Sequence, residues 1–186
     1  MSRIPRRAPG ELAPDERALY DAIAGGPRAS GPQHFALTDE RGALNGPFNA
    51  LLLSPEVGGA LQQVGSAVRF ATGLTPRVRE AAVLLVATAE GSVFERHAHE
   101  AVGRAAGLNE DELAAIRAGA LPETLADDEL PPLRIVQALL DGDLDDETWA
   151  GDGAAVGART VFELTTLVGY YRTLALQLRA FRADEV

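Results

Sequence analysis

The chain of 186 residues has no cysteine and no lysine, and all 17 of its basic residues are arginine. Without cysteine there is no disulfide, thiolate nucleophile, iron–sulfur cluster or thiol redox cycle, so thiol peroxidase chemistry is excluded. Without lysine there is no Schiff base to pyridoxal phosphate and no P-loop lysine. Long apolar runs are also missing. The longest, Ala81–Ala89, is too short to cross a bilayer. The opening Met1–Gly10 holds Arg6-Arg7 with no apolar stretch behind it, so it does not read as an export signal. The expectation is a cytoplasmic protein with no membrane partner.

What is abundant is alanine, 33 residues of it, beside leucine, and both favour helices. Charge is uneven. Residues 110–152 carry thirteen acids and two arginines, a balance of −11, while the remainder is +1, giving the net −10. Such a surface repels phosphate backbones, which argues against nucleic acid as a partner. Capping residues or prolines open successive segments and glycines close them. This punctuation predicts helices over Pro14–Ala24, from Ser54 to Gly73, from Thr75 to Gly91, from Ser92 to Gly107 and from Asn109 to Gly119. Further helices are expected over Pro131–Leu140, Asp146–Val156 and Ala158–Phe181. Pro27–Pro47 reads as a long loop, and no strand run is present. The fold class is therefore all-α, seven or eight helices around one core. Residues 1–44 form an N-terminal helix and loop, and 45–186 the main helical domain. The helix over Ala81–Ala89 is apolar on every side, which predicts a central position and a homo-oligomer to cover what one chain cannot. The last helix shows a stripe of Val161, Leu164, Val168, Tyr171, Ala175 and Leu178.

The acid–base candidates cluster in Ser92-Val-Phe-Glu95-Arg-His97-Ala-His99-Glu100. On a helix, Glu95 and His99 are four residues apart and share one shoulder of the apolar face. His97 falls on the other shoulder, and Arg96 and Glu100 point to solvent. Because the two rings diverge, a metal site is not expected. Two ordinary readings compete. Ser92-x-x-Glu95 also spells a capping box, which accounts for Glu95 as well as catalysis does. A lone His99 is more often a hydrogen-bonded structural residue. Glu80 shares a face with Val83, Leu84 and Ala87, which predicts burial and a raised pKa suited to a proton relay.

Arg79-Glu80-Ala-Ala-Val-Leu-Leu-Val-Ala, Phe94-Glu95-x-x-Ala98-His99-Glu100 and Ala106-Gly107-Leu108 together resemble the core signature of the carboxymuconolactone decarboxylase family. That family shares its fold with alkylhydroperoxidase D. The resemblance extends to Gly46-Pro47-Phe48-Asn49-Ala50-Leu51-Leu52 and to Glu163-Leu164-x-x-Leu167-Val168-Gly169-Tyr170-Tyr171. It implies an alkylhydroperoxidase D-like helical bundle assembled as trimers or hexamers. It places the relay glutamate on Glu80 and the histidine on His99, with Ser92 and Glu95 at the positions of the peroxidase branch's two cysteines. Arg96 stands where many relatives carry tryptophan.

The expected activity is a cofactor-free decarboxylation of a small carboxylated lactone or related carbonyl compound. In this scheme His99 donates the proton, Glu80 relays it and Glu95 orients the imidazole. Phe48, Asn49 and Tyr170 are expected at the pocket wall, and Arg79 or Arg96 on a substrate carboxylate. An isomerase or dehydratase using the same groups, and a non-catalytic small-molecule-binding oligomer, are the alternatives.

Overall fold

The computed structural model describes residues 2–26 and 34–183. Among these the chain is helical: α1 (Pro14–Ala24), α2 (Pro47–Leu51), α3 (Pro55–Phe70), α4 (Pro76–Ala89), α5 (Val93–Ala105), α6 (Glu110–Arg117), α7 (Leu130–Asp141), α8 (Asp146–Thr148), α9 (Ala154–Val156) and α10 (Ala158–Phe181). A π-helical turn, Trp149–Gly153, joins α8 and α9 into one continuous run. No strand forms among the described residues, and extended pairing is limited to the single bridge between Thr38 and Leu44. The all-α expectation holds.

The predicted boundaries follow their caps. Thr75 accepts from the Val78 N–H at the start of α4, and Asn109 opens α6 with a complete capping box to Glu112. One helix has no signature in the sequence. The supposed loop ends in the five-residue α2, too short for apolar periodicity to reveal, and its first part, 27–33, lies outside the described residues. Glycines position α2 at both ends. Gly46 has φ of +55°, and a Cβ there would lie 2.2 Å from the Phe94 ring. A Cβ on Gly58 would lie 2.1 Å from the Leu51 carbonyl oxygen, so α3 meets α2 with backbone on backbone.

At the centre stands α4, packed by α5, α6, α7 and α10. Every residue from Glu80 to Ala87 is buried within the one chain. This corrects the argument for assembly, because α4 needs no second subunit to cover it. Exposed apolar side chains lie elsewhere, at Val57 and Phe70 on α3 and at Phe162 and Leu176 on α10. The α10 stripe is buried as predicted, from Val161 through Leu178. A second cluster, Leu19, Tyr20, Ile23, Leu44, Phe48, Leu51 and Leu52, fastens α1 and α2 beside it.

Candidate active site

Three titratable side chains converge where α4 and α5 pack side by side. Glu80 is 1% exposed, Glu95 3% and His99 5%. Their spacing follows from the two helices. Glu80 projects from the first half of α4, while Glu95 and His99 stack one turn apart on α5. The His99 Nδ1–H donates to Glu80 Oε2 at 2.6 Å, and the opposite ring nitrogen, Nε2, lies 3.4 Å from Glu95 Oε2. On its other oxygen Glu80 accepts from Arg79 Nε at 3.2 Å. The Tyr171 ring meets the imidazole edge-on at 5.1 Å, and Tyr170 meets Tyr171 likewise at 5.2 Å.

These contacts set the charges. Burial disfavours a charged imidazole, but the Glu80 carboxylate and its hydrogen bond, helped by Glu95, outweigh it and raise His99 to about 9. Burial likewise disfavours ionised Glu80, yet the His99 charge and hydrogen bond, with Arg79 and Arg69 nearby, hold its carboxyl below the ordinary value. At neutral pH the pair is therefore imidazolium and carboxylate. The expected rise in the Glu80 pKa is overturned, because desolvation is outweighed by a cation in contact.

A small cavity opens beside the pair, with room for about one water molecule. Glu95 and His99 line it, together with Phe35, Pro47, Phe48, Arg69, Phe94, Ala98, Tyr170, Tyr171 and Leu174. Glu80 is not among the lining residues. Glu80 thus holds the imidazole from the side away from the cavity, and Glu95 stands at the cavity. Glu95 Oε1 is buried with no hydrogen-bond partner among the described residues. The capping box is also decided. Ser92 Oγ accepts from the Glu95 N–H, but the Ser92 N–H donates to the Ala87 carbonyl, leaving the Glu95 side chain to the histidine.

Phe48 and Tyr170 line the cavity as the sequence suggested, whereas Asn49, Arg79 and Arg96 do not. Asn49 is buried and donates from Nδ2 to the Pro5 carbonyl at 3.0 Å, which spends it on holding the N-terminal segment. Arg79 is committed to Glu80. Arg96 is half-buried and His97 exposed, on the sides of α5 away from the cavity. Arg69 was missed, since a single arginine on α3 carries no motif. Tyr171 belongs to the α10 stripe and, like Phe94, to the family signature, and neither signal marks a cavity wall. Among the described residues, no cluster of three His, Asp or Glu side chains could hold a metal ion.

The class these features define is a cysteine-free, alkylhydroperoxidase D-like helical protein. Residues 55–126, which include Glu80, Glu95 and His99, match the model of the carboxymuconolactone decarboxylase family, and the resemblance carried by the motifs within that span is borne out. Among solved structures, the chain is similar to the debrominase Bmp8, crystallised as a cysteine-to-alanine variant in complex with 2,3,4-tribromopyrrole. The TM-score is 0.68 at 13% identity, covering 92% of this chain and 85% of that one, a likeness of fold. No curated protein matches the chain in sequence.

Proposed function

We propose that the protein is a cofactor-free acid–base enzyme acting on a small carbonyl compound, with decarboxylation of a carboxylated lactone as the favoured reaction. The observation that supports it is the line Glu80–His99–Glu95, which ends in an unpartnered carboxylate oxygen at a cavity. In a vinylogous β-keto acid, the bond to the carboxylate breaks and its electron pair moves into the lactone carbonyl, releasing CO₂ and leaving an enolate. His99, cationic at neutral pH, delivers a proton to the carbon by way of the Glu95 carboxylate, and then recovers its own from water. Glu80 fixes the tautomer and ring orientation throughout. A lactone is larger than the present cavity, so binding requires the Phe35 and Phe94 rings, 6.3 Å apart and edge to face, to move aside. The small heterocycle bound to the fold neighbour is in keeping with a small-molecule substrate. Homo-oligomerisation, as a trimer or hexamer, remains part of this reading, supported by the exposed apolar residues of α3 and α10 rather than by α4. Among the described residues no helix is long and apolar enough to cross a membrane. A cytoplasmic location belongs to the same reading.

The test is incubation in D₂O with a panel of small β-keto and vinylogous β-keto acids, 4-carboxymuconolactone among them. CO₂ release with one solvent deuterium placed on carbon is expected, and Glu95→Gln should abolish both. Deuterium uptake without CO₂ would favour the isomerase, because an unpartnered carboxylate at the cavity serves equally as a base that removes and returns a proton. Neither signal on any compound would sink the acid–base reading.

A further inference from the structure

The structure describes sixteen of the 17 arginines, all except Arg28. Thirteen of them pair with a carboxylate or donate to a backbone carbonyl, as in the Arg7–Glu16, Arg77–Glu112, Arg117–Glu100 and Arg172–Glu90 pairs. Arg69, Arg96 and Arg182 make no such pair or bond among the described residues. Of these three, Arg69 alone lines the cavity. It is half-buried near the end of α3, with its guanidinium carbon 5.5 Å from the Phe70 ring centroid, and its five N–H groups are uncommitted.

Other charges around the cavity are spoken for. The imidazolium of His99 lies between two carboxylates, and Arg79 is held by Glu80. The walls are mostly aromatic, from Phe35, Phe48, Phe94, Tyr170 and Tyr171. An anion entering such a space meets Glu95 as a like charge, so it needs a cation with free donors. A guanidinium supplies two parallel N–H groups matched to a carboxylate.

From this we infer that Arg69 is the anchor for an anionic group of the substrate, which is therefore an organic anion. The inference rests on the acid–base reading of the same site. The anchored group is one that survives the reaction. A guanidinium gripping the carboxylate that departs as CO₂ would stabilise the ground state more than the transition state and slow its loss. Arg69 thus takes the part that the sequence offered to Arg79 or Arg96.

Calorimetric titration of the full chain with benzoate, and with its neutral analogue benzamide, tests the anchor without knowledge of the natural substrate. Benzoate should bind the wild type at least tenfold more tightly than benzamide. Arg69→Gln should cost tenfold or more in benzoate affinity and leave benzamide unchanged, with an unaltered circular dichroism spectrum. Arg69→Lys, which keeps the charge but not the fork, should fall between the two. Arg96→Gln, away from the cavity, should behave as wild type. Equal affinities for benzoate and benzamide, wild-type benzoate affinity in Arg69→Gln, or no benzoate binding at all would overturn the anchor. These outcomes are separable from the proposed chemistry. A chain that incorporates deuterium from D₂O yet fails the benzoate comparison keeps its acid–base site and loses only Arg69.

Discussion

Three glutamates are buried almost completely among the described residues, and two of them, Glu80 and Glu112, each face an arginine in different surroundings. Glu112, 2% exposed, is satisfied on both oxygens. Oε1 accepts from Arg77 Nη2 and from Thr124 Oγ1, and Oε2 accepts from Arg77 Nη1 at 3.1 Å and from the Asn109 N–H at 2.9 Å. Arg77 continues to Glu129 at 2.8 Å and to the Gly107 carbonyl, so one side chain ties α4 to α6 and α7. The Glu80 cluster passes its charge instead to a histidine and a second carboxylate, one of whose oxygens is left without a partner beside a cavity. Buried polar groups are nearly always hydrogen-bonded, so a closed network reads as scaffold and an open one as a site awaiting its ligand. The capping boxes repeat the contrast. Asn109 and Glu112 complete theirs, while Glu95 leaves Ser92 and turns to His99.

The sharpest way to break this comparison is to exchange a carboxylate for an amide in each cluster. Glu95→Gln should lower turnover by about 10² or more, the scale of a lost general acid or base, with little change in melting temperature. Glu112→Gln should do the reverse, costing about 2 kcal/mol of stability in a denaturant titration at near-normal turnover. A Glu112 variant that is inactive but stable would erase the distinction between the networks.

Next in size is Glu80→Gln. Removing one partner from a buried ion pair costs about 3 kcal/mol. The His99 pKa should then drop from about 9 toward its ordinary 6.5, which NMR titration of the imidazole reads directly. An unmoved value would show that Glu80 does not hold the ring.

The same pair sets the pH dependence of wild-type stability. His99 is raised above its unfolded value of 6.5, so its contribution is complete below pH 6.5, declines as the pH rises, and is gone above about 9. Glu80 is lowered, so its contribution is present above the ordinary carboxylate range and is lost in acid as the pH falls through its depressed value. Melting temperature should therefore fall between pH 6.5 and 9, and Glu80→Gln should flatten that fall. A wild-type profile flat across this window would refute the ion pair.

The smallest effect is expected at His97, which is exposed. His97→Gln should change stability by less than about 0.5 kcal/mol and leave turnover alone. Equal losses of turnover from His97→Gln and His99→Gln would remove the centre of the site.

Much of the fold was legible in the chain because its signals are local. Thr75, Ser92, Asn109 and the glycines that follow the helices mark boundaries within one turn, and the α10 stripe repeats at three-and-four spacing. The pairing of Glu95 with His99 was legible for the same reason, as a spacing within one helix. The short α2 was not, since five residues show no period.

The chain by itself determined the helical class, the exclusion of thiol and lysine chemistry, and the concentration of acid–base groups on α4 and α5. Composition and periodicity act through neighbours in sequence, and they suffice for these. Tertiary structure alone decided which carboxylate stands behind the imidazole and which stands at the cavity, because Glu80 and His99 are nineteen residues apart and meet only when two helices pack. It reversed the direction of the Glu80 shift for the same reason: burial can be read from an apolar face, but a cation in contact cannot. It also spent Asn49 on the N-terminal segment and set Arg69 at the cavity, since a side chain's partners are fixed by elements distant in the chain.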